Sequence, residues 1–216
     1  MTILALEFFS LQRSMALARG GVVLSATSET GGRGTNAFGM IEKVLTAAKI
    51  RRAEIECLAV GLGPGSYTGI RTAIAIAQGW QLATGAKLLG ISSAECLAAQ
   101  AQAEKIFGHV NVVIDAQRGE FYLATYEVSA AGLKEITPLK IVSAQEVEAR
   151  AGAEEILTGP DVTKRFPTGR NLFPKAATLA TLAAQRADFV AGEKLEPIYL
   201  RETNFVKAPP ARTMVA

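Results

Sequence analysis

Glycines, three hydroxyls and a cation are concentrated in Gly61-Leu62-Gly63-Pro64-Gly65-Ser66-Tyr67-Thr68-Gly69-Ile70-Arg71. An apolar strand over Cys57 to Val60 enters this loop, and an alanine-rich helix from Gly69 to Ala83 leaves it. Glycines there permit positive φ and close backbone approach, while Pro64 fixes one φ and removes one donor. Ser66 or Thr68 can cap the helix by accepting from its first free N–H groups. Such a junction holds a phosphate or carboxylate at a helix N-terminus, or it is a tight turn whose glycines let helix and sheet pack closely. Both readings stand. Three standard cradles fail: a P-loop needs a lysine, and none occurs between Lys49 and Lys87. A dinucleotide fingerprint needs its third glycine where Ser66 or Thr68 stands, and a nucleophile elbow around Ser66 needs glycines at Pro64 and Thr68.

Other reactive groups are sparse. The one histidine, His109, follows Gly108 at a turn before a strand and reads as a solvated or capping residue. A Ser-His-Asp hydrolase would have to join His109 to Ser66 across two lobes, and no His/Cys spacing supplies a metal site. Cys57 and Cys96, the only cysteines, sit in apolar surroundings and read as buried free thiols of a reducing compartment. Asp115-Ala116-Gln117-Arg118-Gly119-Glu120 sets two carboxylates and an arginine around one turn. That is a polar cluster facing a cleft, or a hairpin turn pinned by hydrogen bonding from Arg118 to Asp115. Arg71, one turn into its helix, is unsuited to the helix dipole and is free to bind a carboxylate of this chain or of a partner.

The elements that must position these groups follow from periodicity. Ile3 to Phe9 is apolar on both faces, as a central strand should be, with Glu7 at its half-buried polar end. Ser14 to Arg19 and Val22 to Thr27 form a hairpin across Gly20-Gly21, and Glu29 to Asn36 is a glycine-rich loop. Phe38, Ile41, Val44, Leu45 and Ala48 recur at helical spacing over a broad arc. Lys87 to Ile91 is a strand, and Ser92-Ser93-Ala94-Glu95 opens a helix with a capping box. A second cycle has strands at Val110 to Asp115, Glu120 to Val128 and Leu133 to Val142 (broken at Pro138), then a helix from Ser143, a strand at Glu155 to Leu157 and a helix from Lys175 to Ala187. Three strands, helix, strand, helix therefore occurs twice, giving two α/β lobes over 1–104 and 105–216, the second shorter. The tail through Pro209-Pro210 lacks pattern and is expected to be mobile. With 216 residues, 49% hydrophobic and 20% charged, the chain can build such lobes, and a net charge of +3 is too small for a large nucleic-acid footprint. No basic leader and no apolar run of about 18 residues is visible, so a soluble cytoplasmic protein without a membrane span is expected. On the helix leaving the loop, small Ala73 and Ala77 alternate with Ile74 and Trp80, a surface another helix can approach, unless it is simply buried on its own sheet.

Gly63-Pro64-Gly65-Ser66-Tyr67-Thr68-Gly69-Ile70-Arg71, running into an alanine-rich helix with Gly79, resembles the signature of the TsaB (YeaZ) family. Ile3-Leu4-Ala5-Leu6, Asp115-Ala116-Gln117-Arg118-Gly119-Glu120-Phe121-Tyr122 and Pro197-Ile198-Tyr199-Leu200-Arg201 extend the resemblance over nearly the whole chain. It implies a duplicated ribonuclease-H-like, actin-type (ASKHA) α/β architecture with a reduced second lobe. It further implies a non-catalytic subunit that supports a TsaD-type enzyme in threonylcarbamoyladenosine modification of tRNA. A TsaE-type ATPase joins that complex, a TsaC-type enzyme supplies threonylcarbamoyl-adenylate, and contact with tRNA is indirect. In the resembled family the helices corresponding to those carrying Phe38, Ile41, Val44, Leu45 and Ala73, Ile74, Ala77, Trp80 pair with TsaD or with a second TsaB copy. The catalytic TsaD relatives carry a His-x-x-x-His metal pair on the first helix, where this chain has Asn36-Ala37-Phe38-Gly39-Met40. Where the family more often has Asp-Thr-Ser, this chain has Glu7-Phe8-Phe9-Ser10, so weak or no nucleotide binding and no cofactor are expected. An older label for the same loop, glycoprotease or M22-like peptidase, and an ASKHA-type nucleotide-binding module remain the alternatives.

Overall fold

The computed structural model describes residues 1–31, 36–151 and 155–201. Most of the expected glycine-rich loop before Asn36 and the tail containing Pro209-Pro210 lie outside them. The first sheet contains β1 (Thr2–Glu7), β2 (Gln12–Arg19), β3 (Val22–Thr30), β4 (Cys57–Gly61) and β5 (Lys87–Ile91), ordered β3-β2-β1-β4-β5. Its helices are α1 (Ala37–Ala48), α2 (Tyr67–Thr84) and α3 (Ser93–Ala103). The second sheet contains β6 (Gly108–Gln117), β7 (Glu120–Ser129), β8 (Gly132–Ser143), β9 (Ile156–Gly159) and the two-residue β10 (Arg170–Asn171), ordered β10-β9-β6-β7-β8. Helices α4 (Ala144–Ala151) and α5 (Ala176–Ala183) complete the chain.

The two sheets are copies of one topology. In each, the first strand pairs antiparallel with the second and parallel with the fourth, the second pairs antiparallel with the third, and the fourth parallel with the fifth. The copies differ where α2 stands in the first. Between β9 and β10 the chain makes only the single 3-10 turn Val162–Lys164, and β10 is cut to two residues. The second lobe is therefore reduced as expected.

Periodicity could not show that the last helix of each half crosses over. Helix α3 packs on β6, β7 and β8, whereas α5 packs on β1 to β5 of the first sheet. Ala176, Leu179, Ala180 and Ala183 of α5 are wholly buried in one cluster with Ile3 and with Ala5, Ala16 and Ala59, whose small side chains let a helix lie close to a sheet. After α5 the chain stays on the first lobe through a Leu88–Val190 bridge. Each half of the chain thus supplies one sheet, while α3 packs on the second sheet and α5 on the first.

Several boundaries moved. Strand β1 ends at Glu7 rather than Phe9, because Phe8 and Phe9 turn inward into the core. The Gly20-Gly21 hairpin is as expected, both glycines having positive φ (59° and 83°) as a two-residue turn requires. Pro138 does not break β8: it sits on an edge strand beside a register irregularity, where a missing N–H leaves no ladder position unpaired. Helix α5 is shorter than Lys175 to Ala187.

Candidate functional site

The Gly61–Gly69 loop is seated on the end of β1. The Ser66 backbone N–H donates to the Phe9 carbonyl at 2.6 Å, and Leu62 donates to Ile91 at 2.8 Å. Ser66 is the cap of α2: its Oγ accepts from the Gly69 N–H at 3.3 Å. A side chain at Gly69 would collide with the Phe8 carbonyl oxygen, and one at Gly61 with the Glu7 carboxyl. These glycines therefore serve close packing of loop on strand. Thr68 is exposed, and its carbonyl accepts from Thr72 Oγ1 at 2.8 Å. Arg71 is also exposed and lies over the Tyr67 ring at 5.2 Å.

Glu7 is not a half-buried strand end; it is completely buried beneath this loop. Ser93 Oγ lies 3.1 Å from both of its carboxyl oxygens, the Phe9 N–H donates to it at 3.3 Å, and Gly63 N–H donates to Ser93 Oγ at 3.1 Å. Loss of water around the carboxyl pushes its pKa up to about 7, against the downward pull of the Phe9 and Ser93 hydrogen bonds. Sequence reasoning missed Ser93. The visible signal was a second serine beside the cap Ser92, which accepts from the Ala94 N–H at 3.2 Å. The expected capping box does not close, because Glu95 pairs with Arg186 of the segment after α5.

The Asp115 cluster is divided. Asp115 and Arg118 line a cleft of about 810 Å³ between the lobes, together with Phe9, Ser66 and Tyr67. Asp115 does not pair with Arg118; it accepts from the Gln117 N–H at 2.7 Å and Gln117 Nε2 at 3.0 Å. Glu120 instead pairs with Arg201 at 2.6 Å. Gln117, Arg118 and Asp161, all on this cleft, have left-handed backbones with φ of 64°, 59° and 55°.

The helix surfaces sort differently from the sequence expectation. Val44, Leu45, Ala73, Ile74 and Ala77 are buried in this chain's own core, so within the isolated chain they are not a surface. Phe38 is 71% exposed, and with Ile41, Ala53, Ile76, Gly79 and Trp80 it lines an apolar groove of about 750 Å³ between α1 and α2. Trp80 Nε1 is buried there with no hydrogen-bond partner among the described residues.

His109 is exposed on β6 opposite Glu127, and among the described residues no cluster of His, Cys, Asp and Glu is arranged to hold a metal. Cys57 and Cys96 are buried free thiols; desolvation pushes Cys57 up to about 11 and Cys96 well above the usual thiol value. No helix among the described residues is long and apolar enough to cross a membrane.

Two five-stranded sheets of the same topology, in lobes with a cleft between them, define a protein of the actin-like α/β class. The family model for TsaD, tRNA N6-adenosine threonylcarbamoyltransferase, matches residues 6–196. The Escherichia coli tRNA threonylcarbamoyladenosine biosynthesis protein TsaB is 30% identical over 190 residues, 80% of this chain and 82% of that protein. The YeaZ structure from Pseudomonas aeruginosa superposes with a TM-score of 0.81 at 25% identity, covering 92% of this chain and 99% of that one. Another Pseudomonas aeruginosa crystal structure, of a protein described as similar to peptidase YeaZ, gives 0.80 at 27% identity, covering 93% and 99%. This chain belongs to the TsaB (YeaZ) family, the tRNA threonylcarbamoyladenosine biosynthesis proteins.

Proposed function

We propose that this chain is a non-catalytic subunit that binds and stabilises a TsaD-type threonylcarbamoyltransferase during tRNA modification in the cytoplasm. The observation that carries this reading is the apolar groove between α1 and α2, rimmed by the exposed Phe38 and floored by Ile41 and Trp80. Large aromatics in a desolvating groove, next to the small Ala75 and Gly79, are what a packed helix interface needs. A second copy of the chain uses the same groove when the partner is absent. A TsaE-type ATPase joins the assembled complex, and tRNA is contacted chiefly through the partner. The lack of catalysis is supported by the site chemistry: Ser66 caps α2, and His109 stands exposed on β6.

Two substitutions separate interface from core. Phe38→Glu is expected to weaken binding of the TsaD-type protein by at least about a hundredfold, as removal of a hot-spot aromatic does, with thermal unfolding unchanged. Ile74→Glu is expected instead to cost more than about 3 kcal/mol of stability, because it buries an unpaired charge at a position only 6% exposed. Titration of the labelled partner followed by a thermal melt of each variant checks both. Undiminished affinity of a folded Phe38→Glu protein would remove the groove from the interface.

A further inference from the structure

On one side the two lobes share a continuous core. Ala94, Leu97, Ala98 and Ala101 of α3 pack in the same cluster as Leu4 and Leu58 of the first sheet and Val110, Val112 and Ala124 of the second. A cleft also lies between them, lined by Ser66 and Tyr67 of the first lobe and Asp115 and Arg118 of the second. One short segment bridges these two walls. Its first end is fixed to the α2 lobe: Ile198 N–H donates to the Leu62 carbonyl at 2.9 Å, and Tyr199 stacks on Tyr67 with ring centres 5.8 Å apart. Its second end is fixed to the β6–β7 hairpin: Arg201 Nη2 donates to the Ala116 carbonyl at 3.0 Å and to Glu120 at 2.6 Å.

We propose that residues 198–201 are a clasp that holds the two lobes closed across the cleft, with α3 as the hinge side. A packed core at α3 resists sliding but permits rotation, and the clasp joins the lobes through contacts that do not involve α3. The side-chain anchors at both ends are half-buried or exposed: Tyr199 is 50% exposed and Arg201 is partly so. Such contacts open locally at far lower cost than a core strand. The hairpin it grips includes the left-handed Gln117 and Arg118, whose backbone is held in place by the Asp115 and Arg201 hydrogen bonds. Releasing Arg201 therefore frees both the lobe and the turn that projects into the cleft.

The test uses the full chain with spin labels on cysteines introduced at Thr46 on α1 and Glu127 on β7, both exposed; Cys57 and Cys96 are buried and do not compete. The parent protein is expected to show one narrow interlobe distance. Arg201→Ala is expected to add a second, longer distance and to speed amide exchange over residues 116–120 by about tenfold, the effect of losing one charge-assisted hydrogen-bonded anchor. Tyr199→Ala, at the other end, is expected to give the same longer distance, and Arg201→Lys an intermediate population. Faster hairpin exchange with an unchanged interlobe distance would reduce Arg201 to a local pin and overturn the clasp. So would an Arg201→Ala protein with neither change.

Discussion

Glu7→Gln is expected to stabilise this protein at pH 8 by up to about 3 kcal/mol and to leave it nearly unchanged at pH 4.5. The carboxyl is completely buried, and its pKa rises from 4.5 to about 7 because burial disfavours the charged form. The folded state therefore binds a proton more tightly than the unfolded state. The favourable contribution of neutral Glu7 is fully present below pH 4.5, is lost progressively as pH rises through about 7, and is absent above that. Glutamine imitates the neutral acid at every pH: its carbonyl accepts from Phe9 N–H, and its amide donates to the second lone pair of Ser93 Oγ. Urea unfolding of both proteins at pH 4.5, 6 and 8 checks the effect. A stability gap that does not widen with pH would show that Glu7 is ionised throughout or that the amide cannot be accommodated.

Gly69→Ala is expected to destabilise the fold by at least about 3 kcal/mol, the upper end of the cost of overpacking a rigid site. The added methyl meets the Phe8 carbonyl oxygen, a backbone group just past β1 that is fixed between the buried Phe8 and Phe9 side chains. Relief requires the whole first turn of α2 to lift from the strand, taking with it the Ser66 N–H to Phe9 bond. Gly79→Ala is the internal control on the same helix, with nothing within 4 Å of the new methyl. It should gain about 0.5–1 kcal/mol from helix propensity alone. Thermal melts of the pair give opposite signs. Equal, small changes at the two positions would mean that the loop is not seated on β1 as described.

Much of this architecture was visible in the chain because its determinants are local. Gly20-Gly21 fixed a hairpin, alternating and continuous apolar runs placed the central strands, and the Gly61–Gly69 stretch marked the strand–loop–helix junction. The repeat of element order carried the duplication. What stayed hidden was decided by tertiary packing. The exchange of α3 and α5 between sheets leaves no periodic trace, since an alanine-rich helix buries the same face on either sheet. The inward turn of Val44, Ile74 and Ala77 follows from the sheet beneath them, whereas helical spacing alone made them equal to Phe38. Glu7 offered no cue to its full burial, because its hydrogen-bond partner Ser93 lies 86 residues away. Arg201 likewise finds Glu120 only after the chain has returned to the first lobe.

The central claim is partnership through the α1–α2 groove, and size-exclusion chromatography with light scattering tests it most directly. The chain is run alone and mixed with the TsaD-type protein of the same organism. A one-to-one complex that displaces any homodimer, and that is lost with Phe38→Glu while the variant's melt is unchanged, is the expected result. Two independent peaks from well-folded proteins would contradict it.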